Sequence, residues 1–150
     1  IADPGVTSQA NMGAAMALSA YETISRFFQD THTGPSHYDL IVTGDLGKVG
    51  HQIVIDLFQR DGIDMRPTYD DCGLLLYDGS QDVHAGGSGC GCSAAVLCSY
   101  ILKAMEQGIF RKVLFCGTGA LLSPTSCNQG QSIPGICHLI CLEADEKWNM

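Results

Sequence analysis

Apolar residues in this chain fall into short runs with two distinct periods. Met12, Ala15, Met16, Leu18, Ala20, Ile24, Phe27 and Phe28 recur at helical spacing, and Asn11 before them suits a helix cap. Tyr38 to Thr43 is a short β-branched run that predicts a buried strand, and Gly44-Asp45-Leu46-Gly47 predicts a turn at its end. Val49, Ile53, Val54, Leu57 and Phe58 then share one helical face, and Gly62 predicts the stop. Residues 66 to 73 read as a polar loop and Leu74 to Tyr77 as a possible short strand. A long loop follows to Cys92, and the run from Ser93 to about Gln107 predicts a third helix, capped by Ser93, stopped by Gly108 and buried by its apolar content. Lys112 to Cys116 and Ile136 to Glu143 predict two last strands, with 117 to 126 as a loop between them and a tail after them.

Strands alternating with helices imply an α/β fold, with helices packed on a largely parallel sheet. No helix separates the last two strands, so that pair is expected to be antiparallel and the sheet mixed. Val96, Leu97, Ile101 and Leu102 are the expected core of the third helix.

Composition narrows the function classes. Only 16% of the 150 residues are charged, 45% are hydrophobic, and the net charge is −8. With no basic cluster, nucleic acid and anionic membrane surfaces are unsuitable partners. Several of the eight cysteines (Cys98, Cys116, Cys137, Cys141) sit inside apolar runs, where a reduced thiol packs as a small hydrophobe. Free thiols and a reducing compartment are therefore expected. The chain opens on Ile1 without a first strand and reads as part of something longer.

The run His84-Ala85-Gly86-Gly87-Ser88-Gly89-Cys90-Gly91-Cys92-Ser93 carries the most chemical information. Its glycines permit close backbone approach, and it delivers Gly89, Cys90, Gly91, Cys92 and Ser93 to a helix N-terminus that suits an anion. Asp45 ends a strand, where α/β proteins collect ligands, and is equally suited to shaping the turn. Ser123 and Thr125 offer hydroxyls to a ligand carboxylate or to their own turn. Cys92 could gain reactivity from the helix end, although a small packing residue is the better reading. Cys90, Cys92, His84 and Cys72 have no zinc spacing, and Asp70-Asp71 lacks the further ligands of a calcium site, so no metal is expected. His51 is expected on the polar side of its helix and His138 as a hydrogen-bonded core residue.

Four runs carry a resemblance: Asn11 to Ala17, Asp39 to Gly47, Gly86 to Ala94 and Thr118 to Ser126. They resemble the stage V sporulation protein AD family of spore-forming bacteria, a branch of the thiolase fold, and the likeness covers nearly the whole chain. The resemblance implies the C-terminal half of a thiolase-like fold in a longer two-half protein. It implies a non-catalytic role: binding dipicolinic acid and supporting its uptake into the developing spore, without a cofactor. It also implies a place in the spore or forespore peripheral to the inner membrane, contact with other spore membrane-complex proteins, and possible homodimers. Enzymatic thiolases place a His, or His and Asn, at two loop positions of this half; here those positions hold Gly44-Asp45 and Cys90 to Ser93. The rival reading is a degenerate acyltransferase or ketoacyl-synthase-like enzyme acting on acyl thioesters. A third is a structural subunit with a closed pocket.

Overall fold

A computed structural model describes residues 1–145; the tail expected at the C-terminus lies outside them from residue 146 on. Helix α1 spans Met12–Thr31, and the Asn11 side chain accepts the Ala14 N–H at 3.3 Å as the expected cap. A short 3₁₀ turn, Pro35–His37, leads to strand β1, Leu40–Thr43, buried along its whole length. Helix α2 is Gly47–Arg60. Its buried face is Gly50, Val54, Ile55 and Phe58, whereas Val49 of the expected stripe is 47% exposed.

The next segment departs from expectation. Strand β2 is Tyr69–Asp71, inside the stretch read as a polar loop, and Leu74 belongs to a helical turn, α3, Cys72–Leu75. The reason is Asp71. Its buried carboxylate accepts the Gly73 N–H and caps α3, so the chain turns where an apolar run suggested extension.

The third long helix covers 92–106 in three parts: α4, Cys92–Val96; a π-helical turn, Leu97–Ile101; and α5, Leu102–Glu106. Gly91 occupies the cap position, without a side-chain bond; Ser93 lies in the first turn. Gly108 terminates the helix with φ +73°. Cys92, Val96, Ile101 and Met105 face inward. At about 100° per residue a uniform α-helix would set Ile101 opposite Cys92 and turn Tyr100 inward. The wider turn reverses this, burying Ile101 and leaving Tyr100 48% exposed. Leu97 and Leu102 are only half-buried, and Ala94, Ala95 and Cys98 are exposed, so the helix is not enclosed on all sides as its composition suggested.

Strand β3, Lys112–Ala120, runs four residues past the expected end because Gly117 to Ala120 continue the ladder with strand β4, Gly135–Glu143. A short helix, α6, Pro124–Asn128, separates the two. The sheet has the order β2-β1-β3-β4; β1 is parallel to β2 and β3, and β4 is antiparallel to β3 as expected, although the connection contains the helix α6 where the sequence suggested only a loop. Ala2 adds one antiparallel bridge to Gly135 on the outer edge of β4.

Side chains alternate along the strands and build two cores. Ile41, Leu114, Cys116 and Cys137 pack beneath α1 and α2 with Met16, Ile24, Phe28, Val54 and Phe58. Leu40, Val42 and Val113 pack on the opposite face with Cys72, Cys92, Val96, Ile101 and Met105. The architecture is thus an α/β fold with a mixed sheet between helical layers, consistent with part of a thiolase-like fold. All eight cysteines are free thiols in this structure.

Candidate functional site

At the carboxyl ends of β1 and β3, the loop of residues 78–91 folds back over the β1–α2 turn. The crossing depends on glycine. A Cβ on Gly47, which has φ +63°, would meet the Ala85 carbonyl oxygen at 2.6 Å, and one on Gly73 would meet that of Gly87 at 2.4 Å. The backbone itself makes two bonds there: Lys48 N–H donates to the Ala85 carbonyl at 2.8 Å, and Gly87 N–H to the Gly73 carbonyl at 2.7 Å.

Two carboxylates fix this crossing. Asp45 Oδ2 accepts the Gly89 N–H at 3.1 Å and the Ser88 hydroxyl at 3.3 Å. Its Oδ1 accepts the Thr118 hydroxyl at 3.0 Å, while its own N–H donates to Thr118 Oγ1 at 3.1 Å. Asp71 lies beneath, fully buried. Its oxygens accept the N–H groups of Leu46 (2.9 Å), Gly47 (2.9 Å) and Gly73 (3.0 Å) and the Thr43 hydroxyl (2.6 Å). Burial raises the Asp71 carboxyl above its ordinary range, outweighing these four donors.

The result is a cleft of about 390 Å³ lined by Met12, Met16, Asp45, Ser88, Gly89, Cys90, Ser93, Thr118, Gly119 and Ala120. Of the residues singled out in the sequence, Asp45, Gly89, Cys90 and Ser93 meet there. Gly91 and Cys92 are not in its lining, Ser123 accepts the Ser126 N–H as the cap of α6, and Thr125 is exposed on that helix. Thr118, Ser88 and the two methionines were not anticipated. Met12 and Met16 stand one helical turn apart on α1, a spacing visible in the sequence but indistinguishable from core packing.

Cys92 is 4% exposed, and burial pushes its thiol up, with the carboxylates of Asp45 and Asp71 adding to the effect. The helix end therefore does not activate it. Cys90 is exposed at the rim. Iodoacetamide on the folded protein at neutral pH should modify Cys90 and spare Cys92, as peptide mass spectrometry would read; equal labelling would contradict the burial of Cys92.

Two histidines differ from expectation. His138 is exposed on β4, because even-numbered positions there face the side that the helix of residues 92–106 only partly covers. His51 stacks on Tyr69 with ring centroids 4.7 Å apart, and its buried Nε2 has no hydrogen-bond partner. His84 faces Asp82 at 3.6 Å, and no group of three or more His, Cys, Asp or Glu is arranged for a metal ion among the described residues.

Among the described residues, no helix is long and apolar enough to cross a membrane. In layered α/β folds the carboxyl ends of the strands are where ligands commonly collect, and this cleft stands at such a place. The family described as Stage V sporulation protein AD matches residues 1–143. Stage V sporulation protein AD of Bacillus subtilis (strain 168) is 46% identical over 143 residues, which are 95% of this chain and 42% of that protein. The chain belongs to the Stage V sporulation protein AD family, and it spans less than half the length of this relative.

Proposed function

We propose that this chain is the ligand-binding C-terminal half of a longer, non-catalytic sporulation protein, and that its cleft takes dipicolinic acid for uptake into the developing spore. The observation that carries this reading is the lining of the cleft. Small residues (Gly89, Gly119, Ala120) leave room for a flat ring, and the Met12 and Met16 thioethers give it an apolar wall. Ser93 supplies a hydroxyl, whereas the Ser88 and Thr118 hydroxyls also line the cleft but donate to Asp45. Asp45 has its oxygens occupied by Ser88, Gly89 and Thr118, so it acts as a tie rather than as a ligand contact. A dianion beside it needs cationic contacts, and these come from the rest of the longer protein.

Among the described residues no histidine lines the cleft, and the cysteine that does, Cys90, has no basic residue among the other lining side chains. Acyl transfer between thioesters needs an activated nucleophile and a base, which argues against the acyltransferase reading. Exposed apolar positions, Ala94, Ala95, Cys98 and Tyr100 on the third helix and Ile140 on β4, support a second half packed over that face. The assembled protein then works in the spore or forespore, peripheral to the inner membrane, alongside membrane-complex partners.

Calorimetric titration of the full-length protein tests the reading. Dipicolinate should bind saturably, and acyl-CoA substrates should show no turnover. Absence of dipicolinate binding, or turnover that Cys90→Ala abolishes, would overturn it.

A further inference from the structure

Asp71 is the least expected residue near the cleft: a fully buried carboxylate on a strand only three residues long. It does not line the cleft. What it holds are the two turns on which the glycine-rich loop rests. Leu46 and Gly47 N–H come from the β1–α2 turn, and Gly73 N–H from the start of α3. Each turn in turn grips the loop. Asp45, next to Leu46, binds Ser88 and Gly89, Lys48 N–H binds the Ala85 carbonyl, and the Gly73 carbonyl binds Gly87 N–H.

We infer that Asp71 is the positioning residue of the cleft, fixing the wall formed by Ser88, Gly89 and Cys90 through both turns at once. This rests on the cleft being the ligand site. Every bond at the Asp71 carboxylate runs from a donor to one of its oxygens, two donors to each. An amide in its place sets its N–H₂ against at least one backbone N–H, since the Thr43 hydroxyl can turn to accept but the Leu46, Gly47 and Gly73 amides cannot, so Asp71→Asn converts at least one attraction into a repulsion at nearly unchanged volume.

Cysteines report the outcome without knowledge of the ligand. Cys72 and Cys92 are buried in the core beneath the loop, and a Cβ on Gly87 would lie 3.4 Å from Cys92 Sγ. Cys116 and Cys137 are buried in the core on the other face of the sheet. In full-length Asp71→Asn protein, thiol labelling under native conditions should quicken at Cys72 and Cys92 by about tenfold or more, with Cys116 and Cys137 unchanged, as local opening requires. Dipicolinate affinity should fall at least about tenfold alongside it. Wild-type labelling rates at Cys72 and Cys92, or equal acceleration at all four thiols, would overturn the inference, the latter by showing a general loss of stability. If the variant does not fold, hydrogen exchange on the unmodified protein decides. The Leu46, Gly47 and Gly73 amides should then exchange as slowly as those of β1, and loop-like exchange would refute the role. Failure of wild-type protein to bind dipicolinate would sink the ligand reading alone, since the thiol rates do not depend on it.

Discussion

Replacing Gly13 by alanine should destabilise the protein by about 3 kcal/mol, a fall of roughly 6–12 °C in melting temperature for a chain of this size. The sign is the informative part. Within a helix, alanine is favoured over glycine by about 1 kcal/mol, so an open position would gain stability. Gly13 is not open. A Cβ there would lie 2.1 Å from the Leu46 carbonyl oxygen, and one on Gly50 would lie 2.6 Å from the Gly13 carbonyl oxygen. Helices α1 and α2 therefore meet backbone to backbone, and the obstacle is main chain that cannot rotate away. Parting them loosens Phe58, which has no exposed surface and packs edge-on to Tyr21 at 5.0 Å. Gly79, where an added Cβ would meet nothing within 4 Å, is the control, and Gly79→Ala should be neutral in the same thermal melt. A Gly13→Ala protein as stable as the wild type would mean that the helices do not cross this closely.

The second large effect concerns the cleft itself. Ser93→Trp should raise the dipicolinate dissociation constant of the full-length protein roughly a hundredfold, about 2.7 kcal/mol, with little change in melting temperature. Ser93 is half-buried, lines the cleft and stands in the first turn of its helix, where a large side chain fills the ligand's space without entering either core. Gly91 stands two residues away with nothing within 4 Å of an added Cβ, and it is absent from the lining. Gly91→Leu should therefore bind normally. Calorimetry on the two folded variants separates a cleft-bound ligand from one bound elsewhere: equal affinities would remove this cleft from consideration.

How much of this was legible in the sequence depended on whether burial had imposed a simple period. α1, α2, β1 and β4 carry apolar residues at helical or strand spacing, and the sequence locates all four to within a few residues. β2 was invisible because it is held by Asp71, a charged residue that finds four donors which only the folded chain brings together. The end of β3 was missed for a related reason. Gly117, Thr118 and Gly119 are poor strand material alone and are extended by the ladder to β4, across about a score of intervening residues. At the site, the glycine-rich loop announced itself through composition, and Asp45 through its place at a strand end. Thr118 did not, since its contact with Asp45 spans 73 positions. Cys92 and Gly91 were singled out for their place at the helix start, and which of the residues there line the cleft depends on how the turn before the helix folds.

The π-helical turn in the third helix bears on how members of this family can vary in length. Residues 92–96 and 102–106 each keep their own inward face, and the wide turn of Leu97–Ile101 absorbs the mismatch between them. A residue lost between Leu97 and Tyr100 would tighten that turn toward ordinary α geometry while keeping Val96 and Met105 near the same side. Loss of a residue from either flank would instead rotate the neighbouring contacts by about 100° and expose what they bury. In an alignment of relatives, single-residue gaps in this helix belong at its middle.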